Sequence, residues 1–123
     1  MDDRTGPGYI YLLHNQYDGW YKIGRTANPV ARFRSWRWIS RKPRFDLVPV
    51  LLIRVSNQQA AERFFQSVFN GKRTDGRHLG FGPRHEWFKL DRFDLKVFWR
   101  WASVLGESFY LHGQWAIPAE AIS

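Results

Sequence analysis

Residues 8–32 read GYIYLLHNQYDGWYKIGRTANPVAR, with two short aromatic and aliphatic runs, Gly8-Tyr9-Ile10-Tyr11-Leu12-Leu13 and Trp20-Tyr21-Lys22-Ile23-Gly24, on either side of Asp18-Gly19. Strands rich in Tyr and Ile around a D-G dipeptide predict a β-hairpin, because that dipeptide tolerates the positive φ a tight reversal needs. Asn28-Pro29 follows as a helix start. Asn accepts from the first free backbone N–H groups, and Pro at the first helical position has no N–H to leave unpaired. In that helix Val30, Phe33 and Arg37 share one face and Arg32 and Trp36 another, with an end expected near Trp38 or Ser40.

Reading onward, Phe45 to Val55 is a nearly all-apolar third strand, as expected of one buried on both faces. Pro49 within it demands an edge position or a bulge, since proline cannot donate to a ladder. Ser56 and Gln59 fit a capping box, and Ala61, Phe64, Phe65, Val68 and Phe69 form the apolar stripe of a second helix that stops at Asn70-Gly71. Residues 71–84 form a Gly- and Arg-rich loop, and Glu86-Trp87-Phe88-Lys89-Leu90 is a short strand-like run. Asp91 caps a last helix with two apolar stripes, one of Leu95, Phe98, Trp99, Ala102 and Leu105, the other of Val97, Trp101 and Val104. Two apolar sides predict packing against the 107–123 tail or an oligomer contact. The 123 residues are expected to form one domain, with a core over about 8–90 and a C-terminal helix and tail over 91–123.

Composition narrows the function. No cysteine is present, which excludes disulfides, thiolate metal sites and a Cys nucleophile. The polar N-terminus does not resemble a signal peptide, and Leu47 to Ile53 is too short to cross a bilayer, so no membrane association and a cytoplasmic location are expected. The net charge is +8, and between Asp18 and Asp46 no acidic residue interrupts Lys22, Arg25, Arg32, Arg34, Arg37, Arg41, Lys42 and Arg44. A solvated face ordinarily mixes signs. A block of one sign predicts phosphate contact. Trp36 and Trp38 flank Arg37, and an aromatic beside a guanidinium can stack on unpaired bases or pack the core.

The order Gly8-Tyr9-Ile10-Tyr11, Tyr21-Lys22-Ile23-Gly24-Arg25-Thr26, Arg32, Ala61-Glu62 and Glu86-Trp87-Phe88 resembles the GIY-YIG endonuclease superfamily. The closer likeness is to the branch whose second motif reads Y-K-I-G-x-T and which later carries Glu-Trp-Phe. The resemblance implies an α/β (α+β) fold with a small three-stranded antiparallel central sheet flanked by helices, here with an added C-terminal helix. It also implies hydrolysis of DNA phosphodiesters with one divalent metal, Mg²⁺ or Mn²⁺.

Carried onto this chain, the resemblance makes Tyr11 the tyrosine that contacts the attacking water, Arg32 the phosphate-stabilising group and Glu62 the metal ligand. The second-motif position falls on Tyr21 or Lys22. Adjacent strand residues face opposite ways, so only one can enter the site, and counting back from Ile23-Gly24 favours Lys22. A phenol near pH ~10 needs a neighbouring cation to act as a base, which Lys22 can supply. Arg25 matches a place where the family often has a further basic residue.

Where the branch usually has a histidine one turn after the glutamate, this chain has Gln66, which cannot shuttle a proton near neutral pH. His78 and His85 are the candidates to substitute. Arg25, Arg34, Arg37, Arg41, Lys42, Arg44, Lys72 and Arg73 are the expected nucleic-acid contacts, and Glu86 is expected to pair with an arginine of the basic loop. The partner is DNA, with RNA left open, and sequence specificity is expected to be low. Two other readings stand beside the nuclease: a nucleic-acid-binding module on the same fold with little cleavage, and an interaction module or homodimer using the last helix.

Overall fold

In the computed structural model, which describes residues 5–74 and 86–122, the hairpin forms from β1 (Gly8–Asn15) and β2 (Trp20–Thr26). Its reversal is closed by Gly19 N donating to Asn15 O at 2.8 Å and by Trp20 N donating to the Asp18 carboxylate at 2.9 Å. Gly19 sits at φ 79°, where a side chain would be strained. Next come α1 (Pro29–Ile39), β3 (Leu47–Val55), α2 (Gln58–Val68), β4 (Trp87–Phe88), α3 (Arg92–Leu105), β5 (Gly106–Tyr110) and α4 (Ala119–Ile122). No described helix is long and apolar enough to cross a membrane.

The sheet is antiparallel throughout but has five strands, in the order β4-β2-β1-β3-β5, so the three-stranded sheet expected from sequence is only its centre. The two extra strands extend it on both sides. β4 is the strand-like run at Trp87-Phe88, docked on Tyr21 and Lys22. β5 begins at Gly106, directly after α3, and pairs with Leu51 to Val55. A Cβ on Gly106 would collide with the Arg54 carbonyl, so glycine is what lets the chain come down onto β3.

Pro49 takes the bulge of the two options, inside the sheet. Leu12 pairs with Leu51 and Leu13 with Pro49, leaving Val50 over. One extra residue reverses the parity of the strand. Leu51 and Ile53 therefore face the side with α2 and α3, while Leu47 faces the side with α1.

Two cores result. One face packs Ile10, Leu12, Ile23, Leu51 and Ile53 against Ala61 and Phe65 of α2 and Phe98 and Ala102 of α3. The other packs Tyr11, Leu13, Leu52 and Trp87 against Phe33 and Trp36 of α1 and the C-terminal residues Leu111 and Ala121. The buried face of α1 is thus Phe33 with Trp36, cutting across both stripes expected there, and Val30 and Arg37 are exposed.

Asn28 caps α1 by accepting from Ala31 N. For α2 the cap is Asn57, accepting from Ala60 N, and not Ser56. Starting the helix one residue later buries the Gln58 side chain under Gly8, where its Nε2 donates to Pro7 O at 3.3 Å. Asp91 caps α3 in a reciprocal box with Asp94. The tail does not cover the second stripe of α3. It crosses the α1 side instead, with Trp115 edge-on to Phe33 and Tyr9 Oη donating to Ala121 O at 2.7 Å. Phe93 and Val104 stay 72% and 68% exposed.

Candidate active site

Side chains on β1 alternate, so Tyr11 points to the α1 face between Ile10 and Leu12, which point away. Its cross-strand partner is Gly24. A Cβ on Gly24 would lie 2.8 Å from Tyr11 Cε2 and closer still to Cζ and the hydroxyl, so the tyrosine ring occupies the space that the glycine leaves open. Phe33 meets the ring edge-on, and Trp36 Nε1 donates to its hydroxyl at 3.1 Å. Burial pushes the phenol above its usual pKa, the Trp36 hydrogen bond and Arg32 oppose that, Glu62 adds to it, and Arg25 opposes it. Tyr11 is therefore held neutral, with its oxygen oriented.

Lys22 lies on the same face as Tyr11. Its ammonium sits 5.5 Å from the Trp36 ring centroid and contacts the Glu86 carboxylate. Glu86 thus pairs with Lys22, because β4 docks on β2 at this point, and Arg77 and Arg84 of the basic loop lie outside the described residues. Burial lowers the Lys22 pKa to about 7, with Glu62 acting against the shift and Arg32 with it. Tyr21 faces the other way, against the α2–α3 core, stacked on His14 with ring centroids 4.3 Å apart. Burial raises the Tyr21 phenol and lowers the His14 imidazole.

β4 covers β2 only at Tyr21 and Lys22, so among the described residues Ile23 to Thr26 form an open sheet edge. Helix α2 runs along it. Gln66 Nε2 donates to Ile23 O at 3.3 Å, which gives this side chain a structural task at the edge. Arg25 Nε donates to Glu62 Oε1 at 3.2 Å, and its terminal nitrogen reaches Gln58 Oε1 at 3.4 Å. Arg32 stands exposed on α1, and both it and Glu62 act electrostatically on Tyr11 and on Lys22. Tyr11, Lys22, Arg32 and Glu62 thus come together from three elements and the hairpin's second strand. Tyr21 does not join them.

The model of the T5orf172 domain matches residues 8–103, spanning the hairpin, both flanking helices and most of α3. The chain belongs to the T5orf172 domain family. This domain occurs in some nuclease-like proteins, which makes a nucleic-acid-related role the family-level reading. Comparison with curated proteins and with solved structures finds no match in either.

In this T5orf172 domain the basic residues divide into two groups. Arg34, Arg37, Arg41 and Arg44 are exposed on or just after α1, and Trp38 beside them is 56% exposed with Lys42 Nζ lying 4.1 Å from its ring centroid. Trp36 is the core residue of the tryptophan pair. Lys72 is bound within the protein, 3.4 Å from Asp91 and 3.2 Å from Asp94, and Arg73 lies over the Phe88 ring while donating to Asn70. His78 and His85 lie outside the described residues. No three His, Cys, Asp or Glu side chains cluster among the described residues. Among the described residues, the carboxylates at the site are Glu62, held by Arg25, and Glu86, held by Lys22. Of the two, Glu86 is the one reasoning from sequence left without a chemical role, because its partner is fixed by a strand pairing that no local pattern announces.

Proposed function

We propose that this protein is a GIY-YIG-type endonuclease that hydrolyses DNA phosphodiesters with a divalent metal, Mg²⁺ or Mn²⁺. The observation that carries this reading is that Arg32 and Glu62, from α1 and α2, both act on Tyr11 and on Lys22, which share one face of the hairpin. Arg32, exposed and forked, suits the oxygens of a bound phosphate. Tyr11 orients a water through a hydroxyl already fixed by Trp36. Lys22 provides positive charge beneath it. A single carboxylate suits a hard cation that keeps several of its waters, and Glu62, released from Arg25, would hold it. The metal, when bound, supplies charge that lowers the pKa of a nearby water and stabilises the reacting phosphate.

The exposed Arg34, Arg37, Arg41 and Arg44 supply backbone contacts, which position a nucleic acid without reading its sequence. Low intrinsic sequence specificity follows. The test uses supercoiled plasmid and a single-stranded oligonucleotide with Mg²⁺ or Mn²⁺, comparing the parent with Arg32→Ala. The parent is expected to cut, and the variant to lose about 10²–10³-fold in rate. Tight, salt-sensitive binding with no cleavage by either protein would replace this reading with a binding module.

A further inference from the structure

Lys22 is 1% exposed, and an ammonium taken out of water is costly unless it is paired. The groups around it are Glu86 beside β4, Glu62 on α2, Arg32 and the Trp36 ring on α1, and Tyr11 on its own face of the sheet. Among the described residues, only Glu86 touches its nitrogen as a counter-charge. The strand that delivers Glu86 is two residues long, yet it is firmly held. Trp87 and Phe88 are fully buried on opposite faces of the sheet. Trp87 O accepts from Thr74 N at 2.8 Å and from Thr74 Oγ1 at 3.1 Å, and Lys89 N donates to Lys72 O at 2.8 Å. In Glu86-Trp87-Phe88, therefore, the two rings anchor the segment and the carboxylate is set against Lys22.

Packing does not require this pair. A buried ion pair is often replaceable by apolar residues with no loss of stability, whereas removing one partner alone is strongly destabilising. The opposite core is filled mainly by hydrocarbon and aromatic rings. We propose that Glu86 is a positioning residue that holds the Lys22 ammonium, charged and in place, against the Trp36 ring on the Tyr11 face of the sheet for the cleavage reaction. This rests on the nuclease reading for its purpose, though not for the pairing itself.

Burial lowers the Lys22 pKa to about 7, so its charge at neutral pH depends on the carboxylates that face it. Removing the neighbouring carboxylate favours the neutral amine further, and Lys22 then deprotonates at lower pH. The pairing is read directly by NMR titration of protein labelled at lysine Cε, with Lys22 assigned by its absence in Lys22→Met. In Glu86→Gln its titration is expected to move down by about one unit or more, and to return towards the parent value in Glu86→Asp. An unchanged titration in Glu86→Gln overturns the proposal.

The purpose is read from the pH profile of cleavage, whose alkaline limb is expected to move down with the lysine. A limb that stays put while the lysine shifts overturns the positioning role. Because Glu86→Gln alone leaves Lys22 buried without its partner, Lys22→Met/Glu86→Leu serves as the stability control. It is expected to melt like the parent and to cleave far more slowly, and a double variant that cleaves at the parent rate also overturns the role. Absence of cleavage by the parent contradicts the nuclease reading alone, since the titration decides the pairing without substrate.

Discussion

The two faces of the sheet are equally well buried but differ in chemistry. Behind the α2–α3 face, Ile10, Leu12, Ile23, Leu51 and Ile53 meet Phe65, Phe69 and Phe98, and the three phenylalanine rings stack. Behind the α1 face the same strands bury a tyrosine hydroxyl, a lysine ammonium and two tryptophans, and Trp87 Nε1 has no hydrogen-bond partner among the described residues. The teaching is a contrast in content: the α2–α3 face is packed mainly with apolar rings and aliphatic chains, and the α1 face buries the hydroxyl of Tyr11 and the ammonium of Lys22.

That contrast can be broken by substitution. On the hydrocarbon face, Phe65→Ala is expected to destabilise by about 3–5 kcal/mol in denaturant unfolding, with cleavage per folded molecule unchanged. A large loss of specific activity there would dissolve the distinction. Arg32→Ala, on the other side, is expected to leave stability within ~0.5 kcal/mol, as is usual for an exposed residue, while cleavage falls as stated above. A smaller structural effect is expected where the faces meet the hairpin. Gly24→Ala forces a methyl against the Tyr11 ring and should cost about 1–3 kcal/mol together with cleavage, because the ring must shift to admit it. Full activity in that variant would mean that the placement of Tyr11 does not matter.

Much of this was legible in the sequence, and the misses have physical causes. The hairpin, the Asn28 and Asp91 caps and the stripe of α2 follow local rules, and the structure has them. The parity argument places Lys22 with Tyr11 and turns Tyr21 to the opposite core. The two outer strands were not read as part of the sheet because β4 has two residues and the Gly-Glu-Ser-Phe-Tyr of β5 lacks a clean alternation. Both are strands by virtue of distant partners. The Lys22–Glu86 pair is hidden for the same reason, since it exists only once β4 has docked. Gln66 shows the limit of motif comparison. The family pattern asks what replaces a histidine, whereas the structure gives the amide an edge carbonyl to bind.

The most direct test of a nuclease site built into the polar face is Tyr11→Phe. This substitution removes one oxygen that the fold uses only through the Trp36 hydrogen bond. It should change unfolding free energy by about 1 kcal/mol. In the plasmid assay with Mg²⁺ or Mn²⁺, the parent should nick and the folded variant should be slower by roughly 10² or more. A Tyr11→Phe protein that cuts at the parent rate would contradict the account.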